Sequence, residues 1–187
     1  MNSPAPTPSS RRTLYLLLAI FFVPLAAAFV LYYGGSWRPV SQTNHGELYS
    51  PARPLPESPA PLREKWTLLY AGNGRCDEDC RRTLVFARQT RLSLNNEMTR
   101  VGRVFLATGE CCDRAYLDEQ HPGLTVIDAG TDPRFAALVD TLPVADRAHS
   151  IFIVDPLGNL VMRYDSRENP RGLLTDLKKL LKLSHIG

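Results

Sequence analysis

The sequence has few cysteines and no strong excess of either charge. Only four of its 187 residues are cysteine, far fewer than in proteins held together by a dense disulfide network. Its 22 basic and 19 acidic side chains leave a net charge of +3, and no long run of lysine or arginine favours a nucleic-acid partner. The length suits one modest domain with appendages. The four cysteines are therefore candidates for a specific chemical role.

An uncharged apolar run occupies residues 13–33, directly after Arg11 and Arg12. At about 1.5 Å per residue, a helix of this length matches the roughly 30 Å hydrocarbon core of a bilayer. A cleaved signal peptide is the alternative, but its apolar core is only about 7–15 residues long and ends in a small-residue cleavage motif, which is not evident here. We interpret residues 13–33 as a single transmembrane helix.

The charges beside this run predict its orientation. Arg11 and Arg12 belong to a tail, residues 1–12, that the positive-inside rule places in the cytoplasm. The rest of the chain would then lie outside the cytoplasm, which in a Gram-negative bacterium means a single-pass protein of the inner membrane with a periplasmic domain. The cysteines would face an oxidising or metal-handling compartment.

Residues 34–62 are rich in proline and are predicted to form an extended, semi-rigid linker between the membrane and the domain. Alternatively, this segment packs along the domain surface, because Leu48, Tyr49 and Leu55 give it apolar contacts. The prolines of the segment are Pro39, Pro51, Pro54, Pro56, Pro59 and Pro61.

Residues 63–187 have the pattern of a folded α/β domain. Short apolar runs alternate with segments of helical periodicity, which favours a mixed sheet packed between helices. This order of elements resembles the thioredoxin fold. The predicted strands are 66–71, 103–107, 124–128, 150–154 and 159–164, and the predicted helices begin near Cys80, span 133–142 and surround 173–181.

Cys76 and Cys80 lie between the first predicted strand of the domain and its first long helix. Loops at this position meet at the carboxyl edge of an α/β sheet, where such folds bind ligands. A spacing of four residues brings both sulfurs to one side of a helical turn, close enough to share a metal ion or a disulfide. The intervening carboxylates, Asp77, Glu78 and Asp79, work against a reactive thiolate and favour a bound cation, and thiolates suit Cu(I). A structural disulfide is the alternative.

A membrane anchor followed by an exported thioredoxin-like domain with Cys-x-x-x-Cys at its first long helix resembles the Sco/SenC family of cytochrome c oxidase assembly proteins. The resemblance covers about residues 62–187. Segments 44–48, 51–56 and 65–70 are also similar to a Sco-related group of membrane proteins from bacterial oxidase-assembly gene clusters. The resemblance implies that two cysteines and a downstream histidine bind copper. It also implies a role at the dinuclear copper centre of oxidase subunit II, as copper donor or as thiol reductant.

Cys76 and Cys80 match the cysteine pair of that family, and His149 is the histidine nearest to the family position. The family usually has proline directly after the second cysteine, where this chain has Arg81. Its histidine usually lies two residues earlier, at the position of Arg147. A shift of two residues keeps the same face of a strand, so His149 is predicted as a possible copper ligand. A capping or surface role is the alternative.

Cys111 and Cys112 follow a strand predicted to run parallel to the first strand of the domain. This places a second thiol pair near the same sheet edge as Cys76 and Cys80, where it could exchange with that pair or add ligands beside it. An ordinary bridge made by one of the two cysteines is the alternative. The remaining histidines show no ligand spacing and are expected at the surface: His45, His121 and His185.

The resemblance favours a membrane-anchored assembly factor or metallochaperone for cytochrome c oxidase over an enzyme. Its site would be Cys76 and Cys80 with His149, its cofactor copper, and its partner subunit II or another assembly factor. One alternative is a thiol-disulfide oxidoreductase acting on exported proteins. The other is a docking scaffold without metal or redox turnover.

Overall fold

The computed structural model describes residues 8–34, 43–56, 60–143, 147–184 and 186. The chain divides into two compact units, residues 1–43 and 44–187. The first contains helix α1, Pro8–Tyr33, and an 18-residue stretch within residues 11–33 of this helix has a mean hydropathy of 2.7. By length and composition this helix could cross a membrane, so the predicted N-terminal apolar helix is confirmed. Residues 1–7 of the expected cytoplasmic tail lie outside the described residues.

The second unit is built on a six-stranded mixed sheet with the strand order β1-β6-β5-β2-β3-β4. Strands β2, β3 and β4 run parallel, whereas β5 pairs antiparallel with β2 and β6, and β6 pairs antiparallel with β1. This confirms the predicted α/β class. The strands are β1 Glu47–Pro54, β2 Trp66–Asn73, β3 Val101–Thr108, β4 Thr125–Asp128, β5 Ser150–Val154 and β6 Asn159–Asp165.

Helices pack on the two faces of this sheet. One core cluster joins strand residues to Ala87 of α2 and to Leu173 and Leu177 of α5. Another joins strand residues to Leu138 and Val139 of α4. The helices are α2 Glu78–Leu92, α3 Arg114–Gln120, α4 Pro133–Thr141 and α5 Pro170–Leu183, and short 3-10 turns occupy Ala60–Leu62, Asn95–Arg100 and Arg147–His149.

The helices of the second unit begin where a polar side chain can cap them. Asp77 accepts the backbone N–H of Cys80 at the start of α2. Asp132 caps α4 and Asn169 caps α5, and each of these two caps is followed by a proline at the first helical position. Such side chains satisfy free N–H groups, and proline there removes a donor that would have no partner. Local sequence thus fixes these helix starts.

Strand β1 lies inside the proline-rich segment that the sequence predicts as a linker. Its Tyr49 side chain is buried, as is Leu55 just after it, which agrees with the alternative of packing along the domain. The strand lies at the edge of the sheet, where a missing N–H costs least, so Pro51 and Pro54 are tolerated. Residues 44–187 form one compact unit, whereas the sequence assigns residues 34–62 to a linker and 63–187 to the domain.

The start of this unit is fixed by a buried carboxylate of α5. Asp176 is 2% exposed and accepts the backbone N–H groups of His45 at 2.6 Å and Gly46 at 3.0 Å. The Nδ1 atom of His45 lies 3.2 Å from the other oxygen of the same carboxylate. Burial of a carboxylate is tolerated when such donors surround it. These contacts hold the residues before β1 against α5.

Candidate thiol site

Cys76 and Cys80 lie at the carboxyl end of β2, in the loop and first turn that lead into α2. They are joined in a disulfide, and each residue is only 1% exposed. Cys76 has a φ of +48°, and its N–H donates to the carbonyl of Asn73 at 3.0 Å, which closes the turn. The pair is thus a buried disulfide at the edge of the sheet where the sequence predicts a ligand site.

The three carboxylates between these cysteines have separate partners. Asp77 caps α2, and Glu78 pairs with Arg82 one turn further along the helix. Asp79 is half-exposed, and its Oδ2 lies 3.9 Å from Nε2 of His149. The three side chains do not converge on one point.

His149 ends the 3-10 turn that precedes β5, and its side chain is 23% exposed. Its carbonyl accepts the N–H of Ser166 at 2.7 Å. The imidazole therefore lies beside the first turn of α2, paired with Asp79. Arg147, at the usual family position of the histidine, instead donates to the carbonyl of Leu142 at 2.8 Å.

The donors predicted for copper do not fit a metal ion in this form of the protein, because the sulfurs of Cys76 and Cys80 are bonded to each other. Within the described parts of the chain, no group of three or more histidine, cysteine, aspartate or glutamate side chains could hold a metal. The chemistry available to this form is exchange at the disulfide.

Cys111 and Cys112 form a second disulfide in the loop between β3 and α3. Both are partly exposed, and both pack against the hydrophobic cluster that contains Cys76 and Cys80. Parallel pairing of β2 with β3 ends the two strands at the same edge of the sheet. The structure thus brings the two disulfides into one cluster.

Backbone contacts hold the two cysteine loops against each other. The N–H of Gly74 donates to the carbonyl of Thr108 at 3.0 Å, and the N–H of Asp113 donates to the carbonyl of Gly74 at 3.3 Å. A side chain at position 74 would not fit, because its Cβ would lie 2.7 Å from the Cα of Cys111. Only glycine permits this approach of the loops.

Charged side chains join the same loops. Arg75 of the first cysteine loop forms an ion pair with Glu110 of the second. Arg81 donates from Nε to the carbonyl of Cys76 at 3.1 Å, and its Nη2 lies 3.4 Å from the carboxylate of Asp113. One guanidinium thus links the first cysteine loop to the residue after the second pair. Sequence spacing gives no sign of this link, because residues 81 and 113 are distant in the chain.

Aromatic side chains line the cluster below the disulfides. Tyr70 stacks on Phe105 at a centroid distance of 5.4 Å, and burial together with the carboxylates of Asp77 and Asp79 raises its pKa. The guanidinium of Arg81 lies 4.5 Å from the centroid of the Tyr116 ring. Buried aromatic side chains therefore form the inner side of the thiol site.

His121 is buried, which corrects the expectation that it lies at the surface. It is 2% exposed, and its Nε2 is 3.1 Å from the hydroxyl of Tyr116. Burial lowers the pKa of His121 to about 4, with further lowering from the positive charges of Arg103 and Arg88. The imidazole is therefore neutral at pH 7.

The mixed sheet packed between helices, with a cysteine pair at the start of the first long helix of the domain, defines a thioredoxin-like protein. Within that class, the chain belongs to the family described as transmembrane-like, thioredoxin-like, C-terminal domain, whose model matches residues 66–184. No curated protein matches the chain significantly.

Solved structures of Sco proteins share this fold. Apo Sco1 of Thermus thermophilus is 20% identical, with a TM-score of 0.60 over 75% of this chain and 99% of that one. Copper-bound ScoI of Bradyrhizobium japonicum is 20% identical, with a TM-score of 0.50 over 63% and 86%. Copper-bound yeast Sco1 is 15% identical, with a TM-score of 0.51 over 65% and 80%. The resemblance to Sco/SenC proteins is confirmed, and at these identities it concerns the fold.

Proposed function

We propose that this protein is a membrane-anchored assembly factor for respiratory cytochrome c oxidase whose working group is the Cys76–Cys80 pair. In the dithiol form the pair stores two electrons and two protons for the reduction of a disulfide in an exported partner, such as oxidase subunit II. The observation that carries the proposal is the placement of this disulfide at the carboxyl edge of β2, directly before α2. That edge is where α/β folds place their ligand sites.

The surroundings of the pair support exchange chemistry over a passive bridge. The second disulfide packs against the same cluster, and hydrogen bonds and ion pairs hold the two loops together. A bridge that only stabilised the fold would need no such neighbour. The Sco relatives support an assembly role through the resemblance of the fold and of the Cys-x-x-x-Cys motif.

Copper binding by the reduced pair is the second candidate function. It is favoured by the copper bound in the Bradyrhizobium and yeast Sco structures. It is also favoured by His149, whose imidazole lies near Asp79, and Asp79 is located between Cys76 and Cys80 in the sequence. Reduced Cys76 and Cys80 would supply two soft thiolate ligands, and His149 a third donor. Bound copper would then be the cargo delivered to the partner.

One titration tests both roles on the full chain in detergent micelles. The protein is equilibrated in dithiothreitol redox buffers, quenched with acid, alkylated and cleaved with trypsin, which releases the first pair in the peptide Cys76–Arg81. We expect half-reduction of this peptide at a potential above about −300 mV, because structural disulfides of exported proteins lie below that value. The variant C111S/C112S serves as control, since only one pair then titrates.

The titration is repeated with chelator-buffered Cu(I). An ion that binds the dithiol but not the disulfide raises the apparent potential, by about 30 mV for each tenfold change in the equilibrium constant. We expect a rise of at least that size, made smaller by His149→Ala. No rise excludes the copper role and leaves the redox role standing. A potential below about −300 mV together with no rise would contradict both roles and favour the docking scaffold.

A further inference from the structure

The two disulfides differ in their access to solvent. Cys76 and Cys80 are each 1% exposed, whereas Cys111 and Cys112 are partly exposed. Exchange between a disulfide and an external protein thiol requires direct access to a sulfur atom. A large dithiol protein can therefore reach the second pair more readily than the first.

The inaccessible pair and the accessible pair are neighbours. All four cysteines belong to or pack against one cluster, together with Leu84, Phe105 and Leu117. The loops that carry them are joined backbone to backbone at Gly74, so the approach does not depend on mobile surface side chains. The two pairs therefore share one hydrophobic cluster and lie on loops that the backbone holds together.

We propose that Cys111–Cys112 is a second redox site, through which an external dithiol protein exchanges electrons with the buried Cys76–Cys80 pair. This inference rests on the proposed thiol role of Cys76 and Cys80. It adds the path by which electrons pass between that buried pair and an external protein. The partly exposed Cys111–Cys112 pair reacts with external proteins, and the buried Cys76–Cys80 pair holds the electrons that it passes on.

Atoms and electrons balance if the reaction proceeds as two thiol–disulfide exchanges, one with the external dithiol and one within the chain. An external dithiol first reduces the Cys111–Cys112 disulfide, and it becomes a disulfide itself while two electrons and two protons pass to the chain. One thiolate of the second pair then attacks a sulfur of the Cys76–Cys80 disulfide, which forms a mixed disulfide and releases one thiolate. The other cysteine of the second pair attacks that mixed disulfide, restores the Cys111–Cys112 bond and leaves Cys76 and Cys80 as a dithiol.

The first test measures how fast each pair is reduced in the oxidised full chain in micelles. Reduced thioredoxin is the external dithiol protein, and alkylation followed by trypsin reports Cys76–Arg81 and residues 104–114 separately. We expect the 104–114 peptide to be reduced first. In C111S/C112S we expect reduction of Cys76–Arg81 to be at least tenfold slower than in the wild type. The matched variant C76S/C80S should accumulate reduced residues 104–114 at least as fast as the wild type, because no buried pair then re-oxidises Cys111 and Cys112.

An unchanged rate for Cys76–Arg81 in C111S/C112S would overturn the relay. The proposed function could still hold in that case, because its test is an equilibrium titration and this one is kinetic. Equal melting temperatures of the variant and wild type show that a slower rate does not come from a damaged fold.

A second test traps the intermediate and does not depend on rates. Four double variants each leave one cysteine in each pair, for example C80S/C112S. Under mild oxidation at least one of them should form a disulfide that joins the 76–81 peptide to the 104–114 peptide, and 8 M urea (about the strength that unfolds most domains) should abolish it. If none of the four forms this cross-link in the folded protein, the relay is refuted.

Discussion

His121 makes the stability of the domain depend on pH. Burial lowers its pKa to about 4 in the folded protein, with help from Arg103 and Arg88, whereas an unfolded histidine titrates near about 6.5. As the pH falls through this window, the unfolded chain binds the proton first, so the free energy of unfolding decreases. The loss begins near pH 6.5 and levels off below pH 4. It amounts to about 3 kcal/mol, at about 1.4 kcal/mol per pKa unit.

Urea denaturation of residues 44–187 at pH 7 and pH 4.5 tests this expectation. Between these pH values the free energy of unfolding of the wild type should fall by about 2 kcal/mol more than that of His121→Gln, because glutamine cannot bind the proton. Arginine neighbours hold the pKa values of Asp132 and Asp165 low in both proteins, so those carboxylates cancel in the comparison. Equal losses in the two proteins would mean that His121 is accessible to protons when folded.

The sequence predicts the cysteines of the site but not the contacts that join them. Cys76 and Cys80 follow from their spacing before a helix, and Cys111 and Cys112 from the parallel order of strands. The link from Arg81 to Asp113 arises only when two distant loops meet. His121 escapes prediction for the same reason, because its burial against Tyr116 depends on where α3 packs.

Strong periodicity accounts for the secondary-structure elements that the sequence predicts well. The buried strands β2 and β5 have nearly continuous apolar runs, and α5 has leucines at helical spacing. Two elements lack such a signal. Strand β1 contains two prolines and buries only one residue within its bounds, and α3 has seven residues with a single buried leucine. Pairing with β6 and capping by Asp113 stabilise them, and neither contact is evident in local sequence.

The position of β1 predicts where a soluble domain must begin. Residues 63–187 lack three side chains that the fold buries, Tyr49, Leu55 and Leu62. Each such side chain contributes about 1.5–3 kcal/mol when buried. Asp176 would also lose the N–H groups of His45 and Gly46.

We therefore expect residues 63–187 to be less stable than residues 44–187 by at least about 4 kcal/mol, or not to fold. Urea denaturation followed by far-ultraviolet circular dichroism compares the two. The control is residues 44–187 with Arg53→Ala, which alters an exposed part of β1 and should cost less than about 1 kcal/mol. Equal urea midpoints for the two lengths would show that β1 is dispensable.

The relation of the thiol chemistry to the membrane depends on which side of it residues 44–187 occupy. Disulfides persist in oxidising compartments and are reduced in the cytosol. Both cysteine pairs are oxidised in this structure. An apolar helix preceded by Arg11 and Arg12 would anchor the chain with these cysteines outside the cytoplasm. The apolar helix and the two disulfides thus support one proposal, a tethered thiol protein of the periplasm.

Fusions at the C-terminus test this orientation in a Gram-negative host. Alkaline phosphatase, which is active only outside the cytoplasm, should be active on the wild-type chain, and green fluorescent protein exported by the same route should be dark. Arg11→Gln with Arg12→Gln removes the charge bias of the N-terminal tail and should lower phosphatase activity several-fold. Arg81→Gln with Arg82→Gln removes an equal charge within residues 44–187 and should leave the orientation unchanged. A fluorescent wild-type fusion would place both cysteine pairs in the cytosol, and the thiol role would then lack the oxidising compartment it requires.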